Sequence, residues 1–249
     1  MHYAISDLHL SPEHPKLLAA FQRLCLRLPA STKSFWILGD LFDFWIGDDA
    51  PNPAAEGAIK ALQTLHSKGI QTHFIPGNRD FLLGQQFAEM AGMTLHPEGK
   101  VLVMNGRATW LIHGDHLCID DQPYIEFRNM VRNRTWQQGF LAKPVSERIA
   151  MAEQARAVSA TENAKKPEDI MDVNPEFTLE QTHRHGAVDL LHGHTHRPAQ
   201  HALGDHGTRT VLGDWRQNHA VIGCWSNDQP LQLYRYDYAG TTDEIGTPL

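Results

Sequence analysis

Short apolar runs alternate with longer amphipathic segments in the first part of the chain, and apolar runs cluster towards its end. Helical periodicity covers about 16–28, 54–67 and 81–91, and Gly69 and Gly92 are predicted to end the second and third helices. The runs predicted to be strands are 2–6, 34–38, 72–75, 101–104, 109–112, 188–191, 210–212, 221–225 and 232–236.

This order of elements predicts an α/β layered domain in which sheet packs against sheet and the helices lie outside. Segment 122–166 differs, because it reads as mainly helical and carries eight Lys or Arg against four Glu. We predict that it is a basic helical cap, inserted between core segments 1–121 and 167–240, with 241–249 as a flexible tail. An ordinary pair of solvent-facing helices is the alternative.

Composition narrows the classes of function. The formal net charge of −7 argues against a nucleic-acid-binding protein, which would show a basic surface. The three cysteines are far apart and are predicted to be buried thiols in a reducing compartment. No signal peptide and no apolar run of about 18 residues is present, so we expect a cytosolic protein.

Five short motifs place metal-binding residue types directly after an apolar run. They are Asp7-Leu8-His9, Gly39-Asp40-Leu41-Phe42-Asp43, Gly77-Asn78-Arg79-Asp80, His113-Gly114-Asp115 and Gly193-His194-Thr195-His196. Each motif alone is also typical of a turn or a helix cap. Loops at the carboxyl ends of strands converge, so five such loops together predict a metal site.

In this order the motifs resemble the calcineurin-like metallophosphoesterase superfamily, over a span from Asp7 to His196. The resemblance implies a two-sheet β-sandwich core flanked by helices and two adjacent metal ions. It implies that one ion is held by Asp7, His9, Asp40 and His196. The other ion would be held by Asn78, His113 and His194 together with Asp40, which bridges the two.

The chemistry agrees with this ligand set. A shared carboxylate sets two cations about 3.5–4 Å apart, and a water between them becomes acidic enough to attack phosphorus at neutral pH. Ligands of the carboxylate, amide and imidazole types without a thiolate favour two Mn²⁺, with Fe or Zn as alternatives. Asp80 and Asp115 are interpreted as groups that orient the ligands, or as simple caps.

Arg79 departs from the wider superfamily, in which many members have a histidine at this position. A guanidinium stays charged and can grip phosphate oxygens through two hydrogen bonds, which favours a diphosphate substrate. We therefore expect catalytic roles for Asp40, Asn78, Arg79 and His113.

Longer segments around the motifs (40–49, 77–84, 113–121, 170–174 and 192–199) are similar to the UDP-2,3-diacylglucosamine hydrolases, the lipid A pathway pyrophosphatases of Gram-negative bacteria. This resemblance implies that water attacks the α-phosphorus and releases UMP and 2,3-diacylglucosamine 1-phosphate (lipid X). It also implies a peripheral location on the cytoplasmic face of the inner membrane. The implied substrate contacts are Asn78, Arg79, Asp121, Ser159, Asn163, Lys166 and His194.

The predicted cap suits a lipid substrate, because arginines 128, 132 and 134 are interleaved with Phe127, Met130, Val131, Trp136, Phe140 and Leu141. The apolar side chains can accept acyl chains, while the arginines meet phosphates or an anionic membrane surface. The alternative is that the apolar residues only pack the cap onto the core. We expect a monomer whose partners are the UDP-linked lipid and that membrane surface.

Two other functions stay open. One is a phosphodiesterase or nucleotide phosphatase of the same superfamily, although a small polar substrate should not need an apolar, basic cap. The other is a non-catalytic scaffold that uses the fold for binding. A scaffold would be expected to have lost ligands, whereas all seven positions hold competent residues.

Overall fold

A computed structural model describes residues 1–163, 172–216, 218–238 and 246–249. Its strands are β1 (His2–Ile5), β2 (Ser34–Ile37), β3 (Gln71–Phe74), β4 (Met93–Leu95), β5 (Lys100–Met104), β6 (Arg107–Leu111), β7 (Asp189–His192), β8 (Ala199–Leu203), β9 (Gly207–Val211), β10 (His219–Trp225), β11 (Gln232–Asp237) and β12 (Thr247–Pro248). Its α-helices are α1 (Pro15–Arg27), α2 (Ala55–Ser67), α3 (Gln85–Ala91), α4 (Gln122–Arg132), α5 (Arg134–Leu141), α6 (Val145–Asn163) and α7 (Pro175–Arg184).

The strands form two sheets. One has the order β12-β11-β10-β1-β2-β3-β4, in which β1 to β4 run parallel, and the other has the order β5-β6-β7-β9-β8, in which β6, β7 and β9 run parallel. Side chains between the sheets form one apolar cluster, with Ala4 and Trp36 from the first sheet and Leu111 and Leu191 from the second. The predicted arrangement of sheet on sheet is confirmed.

The central strands of the larger sheet are buried on both faces. On β2, Trp36 points between the sheets while its neighbours Phe35 and Ile37 pack in the cluster that contains α1 and α2. Side chains alternate between faces along a strand, so a continuous apolar run satisfies both layers. The helices supply Phe21 and Leu62 among other side chains to this outer layer.

Parallel strands direct their carboxyl ends to one edge of each sheet. The loops that carry Asp7, Asp40 and Asn78 follow β1, β2 and β3. The loops that carry His113 and His194 follow β6 and β7 of the second sheet. Three loops from one sheet and two from the other therefore supply the predicted ligands.

Helices α4 to α6, which we call the cap segment (residues 122–163), lie between β6 and β7 in the chain. Arg148 on α6 is 2% exposed and donates to the Ile46 carbonyl at 2.7 Å and to Asp49 at 2.8 Å. Arg156, two turns further on, pairs with Asp43 and stacks over Phe44 at 5.6 Å. One face of α6 is therefore tied to the loop after β2.

Several boundaries differ from the sequence predictions. Helix α3 begins at Gln85 instead of residue 81, because Gly84 is extended and the Asp48 carboxylate caps the helix through Gly84 N (2.9 Å) and Phe87 N (3.0 Å). Strands β4, β8 and β12 and helix α7 were missed. Within the tail predicted over 241–249, Thr247–Pro248 form β12, which pairs with β11, and residues 239–245 lie outside the described residues.

Two further findings bear on the predicted class of protein. The three cysteines are all buried, as predicted. Within the described ranges, none of the helices combines the length and the apolar character needed to cross a bilayer.

The β5–β6 hairpin offers a test of the backbone assignment. Its turn has Asn105 at φ 47° and Gly106 at φ 76°, and a methyl group on Gly106 would meet no atom within 4 Å. Gly106→Ala should therefore cost about 1–2 kcal/mol through the left-handed backbone alone. Gly139→Ala in α5, which also meets open space, should stabilise by about 0.5–1 kcal/mol. Urea unfolding measures the free energy of unfolding of both variants, and changes of the same sign would contradict the prediction.

Candidate metal centre

Five of the seven predicted ligand residues have a left-handed backbone. Non-glycine residues rarely adopt positive φ, at a cost of about 1–2 kcal/mol each. Such residues persist only where the surrounding structure forces them, and they concentrate at functional sites. The five are Asp7 (φ 55°), His9 (φ 51°), Asp40 (φ 52°), His194 (φ 66°) and His196 (φ 55°).

Asp40 lies at the centre of the group. Its Oδ2 is 3.9 Å from His9 Nδ1, and its Oδ1 is 3.7 Å from His113 Nε2. The backbone N–H of Arg79 donates to Oδ1 at 2.8 Å, which fixes the orientation of the carboxylate. Gly77 packs so closely that a Cβ there would lie 2.1 Å from Oδ1. Asp40 thus faces a histidine on either side, as a shared ligand must.

Asp7 is held with one oxygen engaged and the other directed into the site. Its Oδ2 accepts from Ser6 Oγ at 2.5 Å and from His194 N at 2.9 Å. Its Oδ1 lies 3.3 Å from His196 Nε2. Ligand atoms of Asp7, His9 and His196 lie within 4.8 Å of one another, as do those of Asp7, Asp40 and His113. These two sets share Asp7 and are next to each other.

Asn78 brings the remaining predicted ligands together. Its Oδ1 is 2.8 Å from His113 Nε2 and 2.9 Å from His194 Nδ1. The other nitrogen of His113, Nδ1, lies 2.7 Å from the Leu38 carbonyl, to which it donates. In the neutral imidazole Nε2 is then an acceptor that faces an acceptor oxygen. Nε2 and Oδ1 then present lone pairs to the same region, as two ligands of one cation do, so the donor set fits a metal ion.

The buried charge points the same way. Burial and the neighbouring Asp40 carboxylate raise the pKa of Asp80 to about 7. Burial also raises the pKa of Asp40, and the Asp7 carboxylate adds to the rise. Asp7 Oδ1 and His9 Nδ1 are buried with no hydrogen-bond partner among the described residues. Divalent cations supply both the missing charge and the missing partners.

Asp80 holds the loops around the site through their backbone N–H groups. Its Oδ1 accepts from Gly77 N at 2.9 Å and from Asp40 N at 3.2 Å, and its Oδ2 accepts from Leu41 N at 2.7 Å. It therefore ties the loop after β2 to the loop after β3. A similar partner that the sequence analysis missed is Asp214, whose carboxylate lies 3.4 Å from His196 Nδ1. Asp214 follows β9 in a stretch without any motif.

The predicted substrate contacts have different surroundings. Arg79 is half-buried beside Asp40, and within the described ranges its guanidinium has no hydrogen bond or ion pair. Asp121 is buried and caps α4 by accepting from Tyr124 N at 3.2 Å. Ser159 is half-buried on α6, and Asn163 is the last residue of that helix. The side chain of Asn163 and all of Lys166 lie outside the described residues.

Comparison with known proteins decides the family. The family model for calcineurin-like phosphoesterases matches residues 3–198. UDP-2,3-diacylglucosamine hydrolase from Neisseria meningitidis is 46% identical over 223 residues, covering 88% of this chain and 92% of its own. The chain therefore belongs to the calcineurin-like phosphoesterases and, within them, to the UDP-2,3-diacylglucosamine hydrolase family.

Other members of this hydrolase family also align with this chain over most of their length. The Pectobacterium carotovorum protein is 44% identical, covering 88% of this chain and 92% of its own. The Stenotrophomonas maltophilia protein is 42% identical, covering 91% and 96%. Among solved structures, Vps29 from Entamoeba histolytica complexed with Zn²⁺ shares 14% identity with a TM-score of 0.45, covering 97% of this chain and 94% of that one. Membership of the phosphoesterase family and the donor set described above agree on the use of divalent metal ions.

For this phosphoesterase, metal binding should stabilise the fold. An ion present at 100 times its Kd adds about 2.7 kcal/mol, because it binds the folded state alone. We expect the Tm in EDTA to rise when excess Mn²⁺ is added. Asp40→Asn keeps an acceptor for Arg79 N but removes the buried charge, and it should lose most of this rise. Calorimetry measures the effect, with exposed Asp205→Asn as the control, which should behave as wild type. A wild-type Tm that does not change when Mn²⁺ is added would contradict the assignment of a metal centre.

Proposed function

We propose that the protein hydrolyses the diphosphate bond of UDP-2,3-diacylglucosamine, releasing UMP and lipid X as a step of lipid A biosynthesis. Relatives that carry this hydrolase name are 42–46% identical over about nine-tenths of the chain. The observation that carries the proposal is the convergence of Asn78, His113 and His194, with Arg79 bound through its backbone N–H to the neighbouring Asp40. This combination provides both a metal centre and a fixed positive charge for a diphosphate.

The proposed metal centre holds two Mn²⁺, with the ligands Asp7, His9, Asp40, Asn78, His113, His194 and His196. When bound, the ions supply an acidified water and positive charge opposite the non-bridging phosphate oxygens. Asp40 serves both positions because it faces His9 on one side and His113 on the other. His113 is kept in one tautomer by the Leu38 carbonyl, so its Nε2 is directed at the site throughout.

Arg79 is proposed to hold the diphosphate. Its backbone N–H is bound to Asp40 Oδ1, so the start of its side chain is fixed next to the metal ligands. A guanidinium can form two parallel hydrogen bonds to phosphate oxygens. We infer that it orients the α-phosphorus towards the attacking water.

The cap segment is proposed to bind the sugar and the acyl chains through Ser159 and Asn163, together with Asp121 before the segment and Lys166 after it. Ser159 stands three residues after Arg156 and eleven after Arg148 on α6, so by helical spacing it shares their core-facing side. That side contacts the loop after β2, which also carries Asp40. This spacing supports a contact between Ser159 and a substrate held at the metal ligands.

The apolar residues of the cap segment divide into two groups. Val131 and Phe140 are buried, and Trp136 packs against the core cluster. Among the residues that the structure describes, thirteen large hydrophobic side chains are exposed, and seven of them lie in the cap segment: Phe127, Met130, Leu141, Val145, Ile149, Met151 and Val158. This concentration in a small part of the chain supports a lipid-facing role for the exposed group, while the buried group packs the cap segment onto the core.

We further propose that the protein is a monomer bound peripherally to the cytoplasmic face of the inner membrane. The exposed apolar residues of the cap segment would insert between acyl chains, with the exposed Arg134 beside them for anionic head groups. Arg128 and Arg132 do not serve this contact, because both turn inwards to Asp115. This orientation changes the sequence-based expectation that all three arginines meet phosphates or membrane.

Labelled water tests the reaction. Incubation with UDP-2,3-diacylglucosamine and Mn²⁺ in H₂¹⁸O should place one ¹⁸O in UMP and none in lipid X, because water attacks the α-phosphorus. Mass spectrometry of both products measures this, and Asp40→Asn should abolish turnover. Label in lipid X would reject the site of attack. Faster cleavage of bis(p-nitrophenyl) phosphate than of the UDP lipid would favour a phosphodiesterase.

Vesicle sedimentation tests the membrane contact. Met130→Glu and Arg134→Glu should each reduce the fraction that sediments with vesicles containing phosphatidylglycerol, by burying a charge or by repelling the head groups. Val103→Glu, at a side chain that is 76% exposed on the β5–β6 hairpin, is the matched control and should sediment as wild type. If Met130→Glu and Arg134→Glu sediment to the same extent as Val103→Glu, the proposed membrane contact is wrong.

A further inference from the structure

One face of α4 is bound to a buried carboxylate of the core. Tyr124, Arg128 and Arg132 are four residues apart and therefore lie on the same side of the helix. Tyr124 OH donates to Asp115 Oδ2 at 2.9 Å, Arg128 Nε donates to the same oxygen at 2.7 Å, and Arg132 Nη2 lies 3.7 Å from it. Asp115 itself is only 2% exposed and stands two residues after His113. The cap helix is thus attached directly beside a proposed ligand.

Arg132 makes a second contact at the other proposed ligand loop. Its Nη2 donates to the Gly77 carbonyl at 2.8 Å, and its guanidinium lies over the Phe81 ring at 5.2 Å. The N–H of Gly77 is held by Asp80 at 2.9 Å. Gly77, the residue before Asn78, is therefore held at its N–H by Asp80 and at its carbonyl by Arg132.

These contacts connect two loops that share a function. Asn78 Oδ1 and His113 Nε2 are 2.8 Å apart, and the two residues belong to different sheets. A small shift of one loop against the other would change how both side chains meet a cation. Partners that orient ligands typically contribute about 10–100-fold in metal affinity. The α4 face spans both loops, with Arg132 reaching Gly77 on one and Asp115 on the other.

We propose that Tyr124, Arg128 and Arg132 are positioning residues that clamp the loops of Asn78 and His113 into the geometry for metal binding. The inference rests on the proposed function, since it takes those two residues as ligands. Docking of the cap segment then completes one metal position as well as covering the substrate. The three residues act through Gly77 and Asp115 and need no contact with the cation.

The direction in which the metal affinity changes distinguishes a positioning role from a purely electrostatic one. An arginine near a divalent cation repels it, so loss of the charge alone would strengthen metal binding. Loss of a positioning contact weakens metal binding instead. A role limited to general stability would lower the Tm but leave the affinity of the folded protein unchanged.

The test is Mn²⁺ titration of the metal-free protein by calorimetry, without lipid. Arg132→Gln should weaken one of the two Mn²⁺ positions about 10–100-fold, and Arg132→Lys, which keeps a donor for Gly77 O, should recover part of the loss. Arg134→Gln removes the same charge from an exposed neighbour and should bind as wild type. Affinity that is unchanged or tighter in Arg132→Gln would overturn the clamp.

A milder variant keeps the proposal testable if Arg132→Gln does not fold. Tyr124→Phe removes only the hydroxyl bound to Asp115 and should weaken Mn²⁺ binding by a smaller factor, whereas wild-type affinity would overturn the clamp. Because the titration uses the cation alone, its result is separate from turnover of UDP-2,3-diacylglucosamine. Failure of wild-type turnover would reject the proposed function, while a weakened Mn²⁺ position would still support the clamp.

Discussion

Three carboxylates buried at one edge of the core are the constraint on which the rest of this structure depends. Asp7, Asp40 and Asp80 are each at most 2% exposed, and Asp40, which is repelled by both of the others, is stabilised by His113, by Arg79 and by divalent cations. Parallel strands make this crowding unavoidable, because their carboxyl ends deliver successive loops to one edge. The same geometry that concentrates negative charge also creates a site for divalent metal ions.

The acidic loop after β2 shows how one stretch of sequence can serve several purposes. Asp40 lies among the candidate metal ligands, Asp43 pairs with Arg156, Asp48 caps α3 and Asp49 pairs with Arg148. Two of these four carboxylates therefore attach the cap segment, and one starts a helix far along the chain. The carboxylates of this loop therefore hold the fold together as well as serving the candidate site. Substitution of Asp43, Asp48 or Asp49 should lower the stability of the protein.

Much of the fold and of the site could be predicted because the signals are local. The apolar runs identified nine strands to within two or three residues, and the motifs after β1, β2, β3, β6 and β7 meet in space as expected. What could not be predicted depends on partners remote in sequence. The start of α3 is set by Asp48, and His196 is oriented by Asp214. Arg128 and Arg132 face Asp115, which a helical pattern alone does not reveal.

The left-handed backbone at five ligand positions has a consequence for the life of the protein in the cell. In a chain that has not yet taken up metal, strained loops and repelling carboxylates lie at the same place, so opening these loops costs less free energy than it does once cations are bound. Proteases cleave such transiently opened segments first. The supply of metal would then determine the lifetime of the protein in the cell, and scarcity of the ion would lead to faster degradation.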